Sequence, residues 1–430
     1  NLTTGTDSVY MGYLAGGVGA ITGDHNVVVG QSAMLEATSA SHSVYIGSNS
    51  GGLTTAGGRS APITGQYNVC VGYSTGYDLT GGASNVLIGL DAGKNITDGS
   101  SNIAIGNGAL DAANGTSASG VREDSNIAIG ENALGAESSG SDGGVAIGHG
   151  SLGNQNRDAS ANTAVGYQSL NGLGGSVDFG GIRNTAVGYQ AGGSGVFGGT
   201  ADGGSNEKGS HNTLVGYQAG KAITIGQKNT VLGASAGVAM TEGLANTLIG
   251  MSAGDSITTN TNNIAIGAHA LDAAVAGENY NIAIGNAALG GENSNATYCV
   301  AIGHDALTAQ NANVKNTVIG GLAGDYILDG TENTIIGYSA GSALRGPTSG
   351  VDRTNAAGNR CTFVGHAAGD NCLASRNTIV GANAGDAVMT TDAVDNCIFG
   401  DTAGSALTTG PGNVLIGSSA GAAMTTGDYN

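Results

Sequence analysis

The sequence predicts an all-β protein, a parallel β-solenoid in which each sequence repeat forms one coil. Three observations lead to this fold class: a short motif recurs along the whole chain, every copy carries an apolar strand signal, and one glycine is never replaced. A period this short, kept over the entire length, is typical of stacked repeat architectures. We expect about 22 coils of roughly 17 residues. Because the strand residues before the glycine are apolar on both faces, we also expect a homotrimer, or at least an assembly of several chains.

The motif is Asn, three apolar or Thr residues, Gly, two variable residues, a small residue, and Gly or Leu, as in residues 212–220. We call its central glycine the repeat glycine. It occurs in 22 copies, from Gly12 to Gly417, and nine of the 21 intervals are 17 residues long. A glycine that is never replaced indicates a positive φ or a backbone approach too close for a Cβ atom. We therefore predict a structural role for the repeat glycines, among them Gly216, Gly233, Gly250 and Gly267.

The three residues before each repeat glycine predict a short strand that is buried on both faces. The residue directly before the glycine is always bulky and apolar, so we expect it to face the inside of the coil. The residue two before the glycine varies, so we expect it to face a second packed surface. A weaker apolar position lies seven residues after the glycine, as at Ile223 and Met240. This second signal predicts two strands and two turns per coil, a flattened two-strand β-roll.

Large and small residues exchange between two positions of the repeat. Eight copies have Ala two before the glycine, and seven of these have Leu four after it. Copies with a larger residue at the first position have Gly at the second, apart from Val28 with Met34. This exchange is expected if both positions fill one volume. We expect that volume at an interface between chains, or between the roll and its own return segment.

The motif begins with Asn in 17 of the 22 copies. Stacked Asn side chains can hydrogen-bond from one coil to the next, and Asn also suits turns that need a side-chain-to-backbone bond. We predict a structural ladder, represented by Asn212, Asn229, Asn246 and Asn263, with neither a catalytic nor a glycan-acceptor role.

Residues 1–430 are predicted to be one continuous β-solenoid. The final residue, Asn430, falls where the Asn of a further copy should be, so we expect an in-phase fragment of a longer fibre protein. The longer intervals add residues before the next Asn and predict edge loops near 51–67, 111–125, 171–183, 193–211 and 342–360. Such loops often carry the binding function of a repeat protein.

Composition argues against several classes of function. The net charge of −19, with only 13 Lys and Arg, does not suit nucleic-acid binding. No apolar stretch is long enough to predict membrane insertion. The seven histidines and five cysteines show no metal-ligand spacing, and cysteine is interpreted as filler at small buried sites. We expect no enzyme, no catalytic residues, no metal and no cofactor.

Six tyrosines directly follow a repeat glycine, and Tyr167, Tyr189 and Tyr217 belong to successive copies. An aromatic row along a solenoid could contact sugar rings. The alternative is that these side chains only pack against one another from coil to coil.

The unit at 184–192, NTAVGYQAG, resembles repeats of bacteriophage tail fibres. In those fibres, such repeats often precede an intramolecular chaperone domain. The unit is also similar to the head repeats of YadA-like trimeric autotransporter adhesins, whose core matches 102–106 and 281–285, although the adhesin heads have a shorter coil. The resemblance covers essentially the whole chain. It implies a left-handed parallel β-roll in which three chains associate into a fibre.

We therefore expect a structural and adhesive fibre shaft of a phage tail fibre or a bacterial surface adhesin. It would be extracellular, on a virion or cell surface, and would contact cell-surface glycans or receptors. One alternative is a self-polymerising extracellular filament. Another is an ice-binding solenoid, based on a partial Thr ladder that Ile264, Ile282 and Val300 interrupt; the ladder comprises Thr163, Thr185, Thr213, Thr230 and Thr247.

Overall fold

The computed structural model describes residues 5–17, 20–52, 62–111, 124–135, 143–154, 161–172, 181–193, 208–274, 277–291, 296–309, 315–327, 330–342 and 358–430. The described residues form an all-β parallel β-solenoid with 22 strands and no helix. Accordingly, no described segment is a helix that could span a membrane. Most of each predicted edge loop lies outside the described residues.

The chain divides into two compact units, Asn1–Gln227 and Lys228–Asn430. The first unit contains β1 (Val9–Met11), β2 (Val27–Val29), β3 (Val44–Ile46), β4 (Val69–Val71), β5 (Val86–Ile88), β6 (Ile103–Ile105), β7 (Ile127–Ile129), β8 (Val145–Ile147), β9 (Thr163–Val165), β10 (Thr185–Val187) and β11 (Thr213–Val215). The second contains β12 (Thr230–Leu232), β13 (Thr247–Ile249), β14 (Ile264–Ile266), β15 (Ile282–Ile284), β16 (Val300–Ile302), β17 (Thr317–Ile319), β18 (Thr334–Ile336), β19 (Thr362–Val364), β20 (Thr378–Val380), β21 (Cys397–Phe399) and β22 (Val414–Ile416).

Within each unit, every strand pairs in parallel with the strand of the next coil, in register at all three residues. Leu248 in β13, for example, pairs with Ala265 in β14, and Ala265 pairs with Ala283 in β15. Equivalent residues of successive repeats therefore stack on one another at the strand spacing of about 4.8 Å.

The predicted inward and outward faces of the strand are reversed in the structure. The middle residue of each strand, two before the repeat glycine, is buried in every strand except β1. The residue directly before the glycine lies on the outer surface instead, and Ile46 and Phe399 are 38% and 39% exposed. Because side chains alternate along a strand, one inward position requires that both flanking residues point outward.

The residue exchange takes place inside the coil, between the strand and the return segment, so the shared volume is real and only its alternative location, an interface between chains, is wrong. A Cβ atom added to Gly254 would lie 2.9 Å from Leu248 Cδ2 and 2.7 Å from Ile257 Cδ1. In the next coil, Ala265 and Ala274 are small and Leu271 is fully buried. The position seven after the glycine thus shares this volume too. We call the segment around this position the return side of the coil. One coil fills the volume with Leu248 from the strand and Ile257 from the return side, and the next coil fills it with Leu271.

The return side of the coil is less regular than the prediction of a second strand. Among the described residues, it forms only four isolated parallel bridges: Ala37 with Ile63, Leu244 with Thr261, Cys372 with Met389, and Thr409 with Thr426. The described part of each coil therefore carries one three-residue strand. The apolar residues of the return side, including Leu79, Ile96 and Ile257, still lie fully buried inside.

Three corners of each coil have left-handed backbone conformation. They lie two and four residues after the repeat glycine and directly before the motif Asn, as at Ser252, Gly254 and Asn262, where φ is 53°, 57° and 57°. Leucine replaces glycine at the second corner in several coils, and Leu271 has φ 53°. Left-handed corners are strained for residues with a Cβ atom, so they must be maintained by the packing and hydrogen bonds around them.

Candidate functional site

The asparagine side chains hydrogen-bond along the solenoid within each unit. In the second unit, Asn246 Oδ1 accepts the backbone N–H of Asn263 at 3.0 Å, and Asn229 Oδ1 accepts that of Asn246 at 2.9 Å. Asn246 Nδ2 also donates to the carbonyl of Asn260 at 2.8 Å. In the first unit, Asn212 donates its backbone N–H to Asn184 Oδ1 at 2.9 Å. Since these groups are buried, the ladder satisfies backbone and side-chain polar groups that water cannot reach.

The repeat glycines combine both backbone reasons that the sequence offered. Gly216, Gly233, Gly250 and Gly267 have φ between 137° and 145°. A Cβ atom on Gly250 would lie 2.4 Å from the carbonyl oxygen of Gly267 in the next coil. At Gly233, Gly250 and Gly267 neither the dihedral angle nor the space admits a side chain, so these residues serve the fold directly.

The three candidate tyrosines form one stack in the first unit. The ring centroids of Tyr167 and Tyr189 are 5.2 Å apart, and those of Tyr189 and Tyr217 are 5.3 Å apart, with interplanar angles of 7° and 10°. His149 extends the stack, with its centroid 5.2 Å from that of Tyr167. We call these four residues the aromatic row. Because neighbouring rings cover one another's faces, the row presents mainly ring edges and hydroxyl groups to the surface.

A second row of side chains runs beside the aromatic row and was not predicted. Gln190 Nε2 donates to Gln168 Oε1 at 3.0 Å, and Gln218 Nε2 donates to Gln190 Oε1 at 3.0 Å. Each of these residues directly follows a tyrosine of the row and has a left-handed backbone. The repeated Tyr-Gln pair was the available sequence signal. The in-register stacking turns it into two parallel ladders that share one surface.

One end of the aromatic row carries a His–Glu pair. His149 Nδ1 lies 3.4 Å from Glu131 Oε2, and both side chains are largely exposed. Such an exposed pair adds little stability but places an acceptor group beside the last ring. The aromatic row, the glutamine side chains beside it and Glu131 together offer hydroxyl, amide and carboxylate groups, a set suited to hydrogen-bonding a polar ligand.

Half-buried carboxylates occur elsewhere on the return side. Burial raises the pKa of Asp78, Asp111, Asp272 and Asp386 above the usual range. The Asp91 carboxylate raises the pKa of Asp111 further, and Asp370 does the same for Asp386. Within the described residues, no group of three or more His, Cys, Asp or Glu side chains could hold a metal ion.

The cysteines are thiols in this structure. Cys70 lies in the middle of β4 and is fully buried, whereas Cys397, the first residue of β21, is partly exposed. Cys299 and Cys361 take the ladder position, and their backbone N–H groups donate to Asn281 and Asn333 side chains at 3.0 and 2.8 Å. Cysteine therefore continues the ladder's backbone bonding.

Comparison with known proteins gave no relative: no protein-family model matches the chain, and no curated protein matches it.

Proposed function

We propose that this chain is a structural and adhesive fibre shaft, built from several copies of itself, of a phage tail fibre or a bacterial surface adhesin. The observation that carries the proposal is the outer row, defined here as the residues directly before the repeat glycines. In both units each of these residues is large and apolar, and each is at least partly exposed.

An unbroken apolar row on the outside of a solenoid is costly for a single chain in water, because contiguous apolar surface favours association. A second copy carries the same row with the same coil spacing, so the two rows can pack residue against residue. The interfaces of homo-oligomers are more apolar than ordinary surfaces, as this row is. Extracellular location on a virion or cell surface follows from the fibre role and belongs to the same proposal.

The test is the association state of the whole chain, measured by sedimentation velocity. We expect a discrete species of several chains, three in the simplest case. Ile319 and Ile336 are adjacent in the outer row and are 36% and 38% exposed. Replacing both with Glu should shift the protein towards single chains, because the charges would be buried at the contact.

A matched control uses exposed apolar residues of the same unit that lie outside the outer row. Leu244 and Val388 are 39% and 56% exposed. The double variant Leu244→Glu/Val388→Glu should associate as the unchanged chain does. A well-folded wild-type chain that sediments only as a single copy would contradict the proposed assembly. Open-ended polymers would favour the filament alternative.

The adhesive part of the proposal concerns the aromatic row and the glutamine ladder. Because the ring faces are covered, a glycan would be held by Tyr hydroxyl and Gln amide groups, with ring edges as the apolar contact. Binding of the chain to immobilised cell-surface polysaccharides should weaken when Tyr167, Tyr189 and Tyr217 are all changed to Phe. This change keeps the ring stack and removes only the hydroxyl groups. Unchanged binding would rule out the row as the contact.

One observation favours the ice-binding alternative enough to test it. Thr163, Thr185 and Thr213 pair in register, and all three lie at outward strand positions with an outer-row valine two residues later. Regular rows of Thr and apolar side chains could contact an ice surface. Thermal hysteresis measured on the whole chain tests this, and its absence would remove the alternative.

A further inference from the structure

Two buried thiols meet inside one coil of the second unit. Cys361 occupies the asparagine-ladder position directly before β19, and Cys372 occupies the inward position of the return side seven residues after Gly365. Their exposed fractions are 1% and 0%. In other coils these positions hold Asn and an aliphatic residue, as at Asn246 and Ile257.

Both sulfur atoms point to the same carbonyl oxygen. Cys361 Sγ lies 3.3 Å from Ala374 O, and Cys372 Sγ lies 3.6 Å from it. Asn377, the next ladder residue, places Nδ2 3.5 Å from Cys372 Sγ and 3.4 Å from the same oxygen. The two thiols are therefore near neighbours across the coil interior, joined through one acceptor.

We propose that Cys361 and Cys372 form a disulfide bond across the coil interior when the chain folds in the presence of a low-molecular-weight disulfide such as oxidised glutathione. One cysteine thiolate attacks the glutathione disulfide, forms a mixed disulfide and releases one glutathione thiolate. The second cysteine thiolate then attacks the protein sulfur of that mixed disulfide and releases the other. The two protein thiols lose two protons and two electrons in total, and oxidised glutathione becomes two molecules of glutathione.

The bond forms while the coil is still open. Burial raises the pKa of Cys361 to about 11 and that of Cys372 to about 12, so few thiolates exist once the coil has closed. The same burial shields a completed bond from reductants in solution. The bond would tie the start of β19 to the return side and close a loop within a single coil, which restricts the unfolded chain.

Mass spectrometry tests the proposal directly. The whole chain is refolded from denaturant with oxidised and reduced glutathione, then unfolded, alkylated without reduction and digested with trypsin. Arg360 and Arg376 flank both cysteines, so Cys361 and Cys372 fall on one peptide, 361–376. We expect this peptide without alkyl label and lighter by two hydrogen atoms, with Cys70, Cys299 and Cys397 alkylated. The oxidised chain should also melt at a higher temperature than the reduced chain.

The repeat itself supplies the control. The double variant Cys361→Asn/Cys372→Ile restores the residues usual at both positions, and its melting temperature should not differ between oxidising and reducing conditions. The proposal is overturned if peptide 361–376 carries two alkyl groups after oxidative refolding. It is equally overturned if the only disulfide links Cys397 of two chains.

Discussion

At the scale of single residues, Leu271 combines an unfavourable backbone conformation with favourable packing of its side chain. Its left-handed backbone is unfavourable for a residue with a Cβ atom, and its fully buried side chain fills the coil interior beside Ala265 and Ala274. The neighbouring coil relieves the backbone with Gly254 and fills the same volume with Leu248 and Ile257. The two coils are alternative solutions to one packing problem.

This equivalence predicts how substitutions combine. Leu271→Gly should lower the free energy of unfolding by about 2–4 kcal/mol, because the cavity outweighs the relief of backbone strain. Ala265→Leu alone should overpack against Leu271 and cost about 1–3 kcal/mol. Adding Ala265→Leu and Ala274→Ile to Leu271→Gly should recover much of the loss, since the triple variant has the residues of the preceding coil.

Denaturant unfolding of the single, double and triple variants measures the coupling. Neighbours that share a volume should couple by about 0.5–3 kcal/mol. If the three costs simply add, the three positions do not fill a common space.

Substitution of a repeat glycine should destabilise the fold strongly, and a second glycine of the same coil serves as the control. Gly148 has φ 128°, and a Cβ atom there would lie 2.5 Å from the carbonyl oxygen of Gly166. Gly148→Ala should cost about 3–5 kcal/mol, because strain and a backbone clash combine. Gly150, two residues later, has φ 60° and more space, and other coils place Ser at this corner. Gly150→Ser should therefore change the unfolding midpoint little; equal effects of the two changes would refute this explanation.

At the scale of the coil, the asparagine ladder connects the strand to the return side. Asn246 serves the backbone N–H of Asn263 and the carbonyl of Asn260 at once. Asn246→Ala should lower the free energy of unfolding by about 1–3 kcal/mol, because the buried N–H of Asn263 loses its partner. The carbonyl of Asn260 keeps only the 3.4 Å bond from the Leu244 N–H. Asn246→Ser should cost less, since Ser43 already accepts the N–H of Asn68 at 3.1 Å in this position. Thermal and denaturant unfolding would show the ranking, and equal losses would argue against the backbone bond as the main contribution.

The coil also shows which features the sequence could predict. The invariant glycine was visible because only glycine satisfies its position, and the Asn was visible because it recurs in 17 of the 22 copies. The outer row was predicted to face the inside because its residues are uniformly bulky, as core residues are. The truly inward residue varies in size because Leu271, or the equivalent residue of another coil, fills the space when the inward residue is small. The corner two residues after the glycine gave no signal, because Ser252, His269 and Gln218 all adopt the same left-handed backbone. The glutamine ladder depends on in-register stacking, which a single motif does not reveal.

At the scale of the whole molecule, partly buried carboxyl groups make the stability depend on pH. The net charge is −19, and burial raises the pKa of Asp78, Asp111, Asp272 and Asp386. A carboxyl group whose pKa is raised by folding binds its proton more tightly in the folded state. Its contribution to stability is greatest at low pH and is lost as the pH rises through the raised value.

We therefore expect the unfolding temperature to rise as the pH is lowered from 7.5 towards the ordinary carboxyl pKa of about 4, because the raised groups take up protons first in the folded chain. Asp24 and Asp395 act in the opposite sense, because hydrogen bonds from Thr6 and Arg376 lower their pKa. The stability that these two groups contribute is lost only at lower pH, when they become protonated. Asp111→Asn should raise stability at pH 7.5 and reduce the gain on acidification. A stability that falls steadily over this pH range would contradict this account.

The in-register pairing of successive strands has a consequence for how such a chain can change in length. Within each unit, each strand residue has the equivalent residues of the adjacent coils as neighbours, so a whole coil can be duplicated or removed and every remaining strand residue still meets the same repeat position. An insertion of one residue inside a strand shifts all the ladders of that coil at once. Genetic change in units of a complete repeat is therefore mild, and the number of coils can vary without redesign of any single coil.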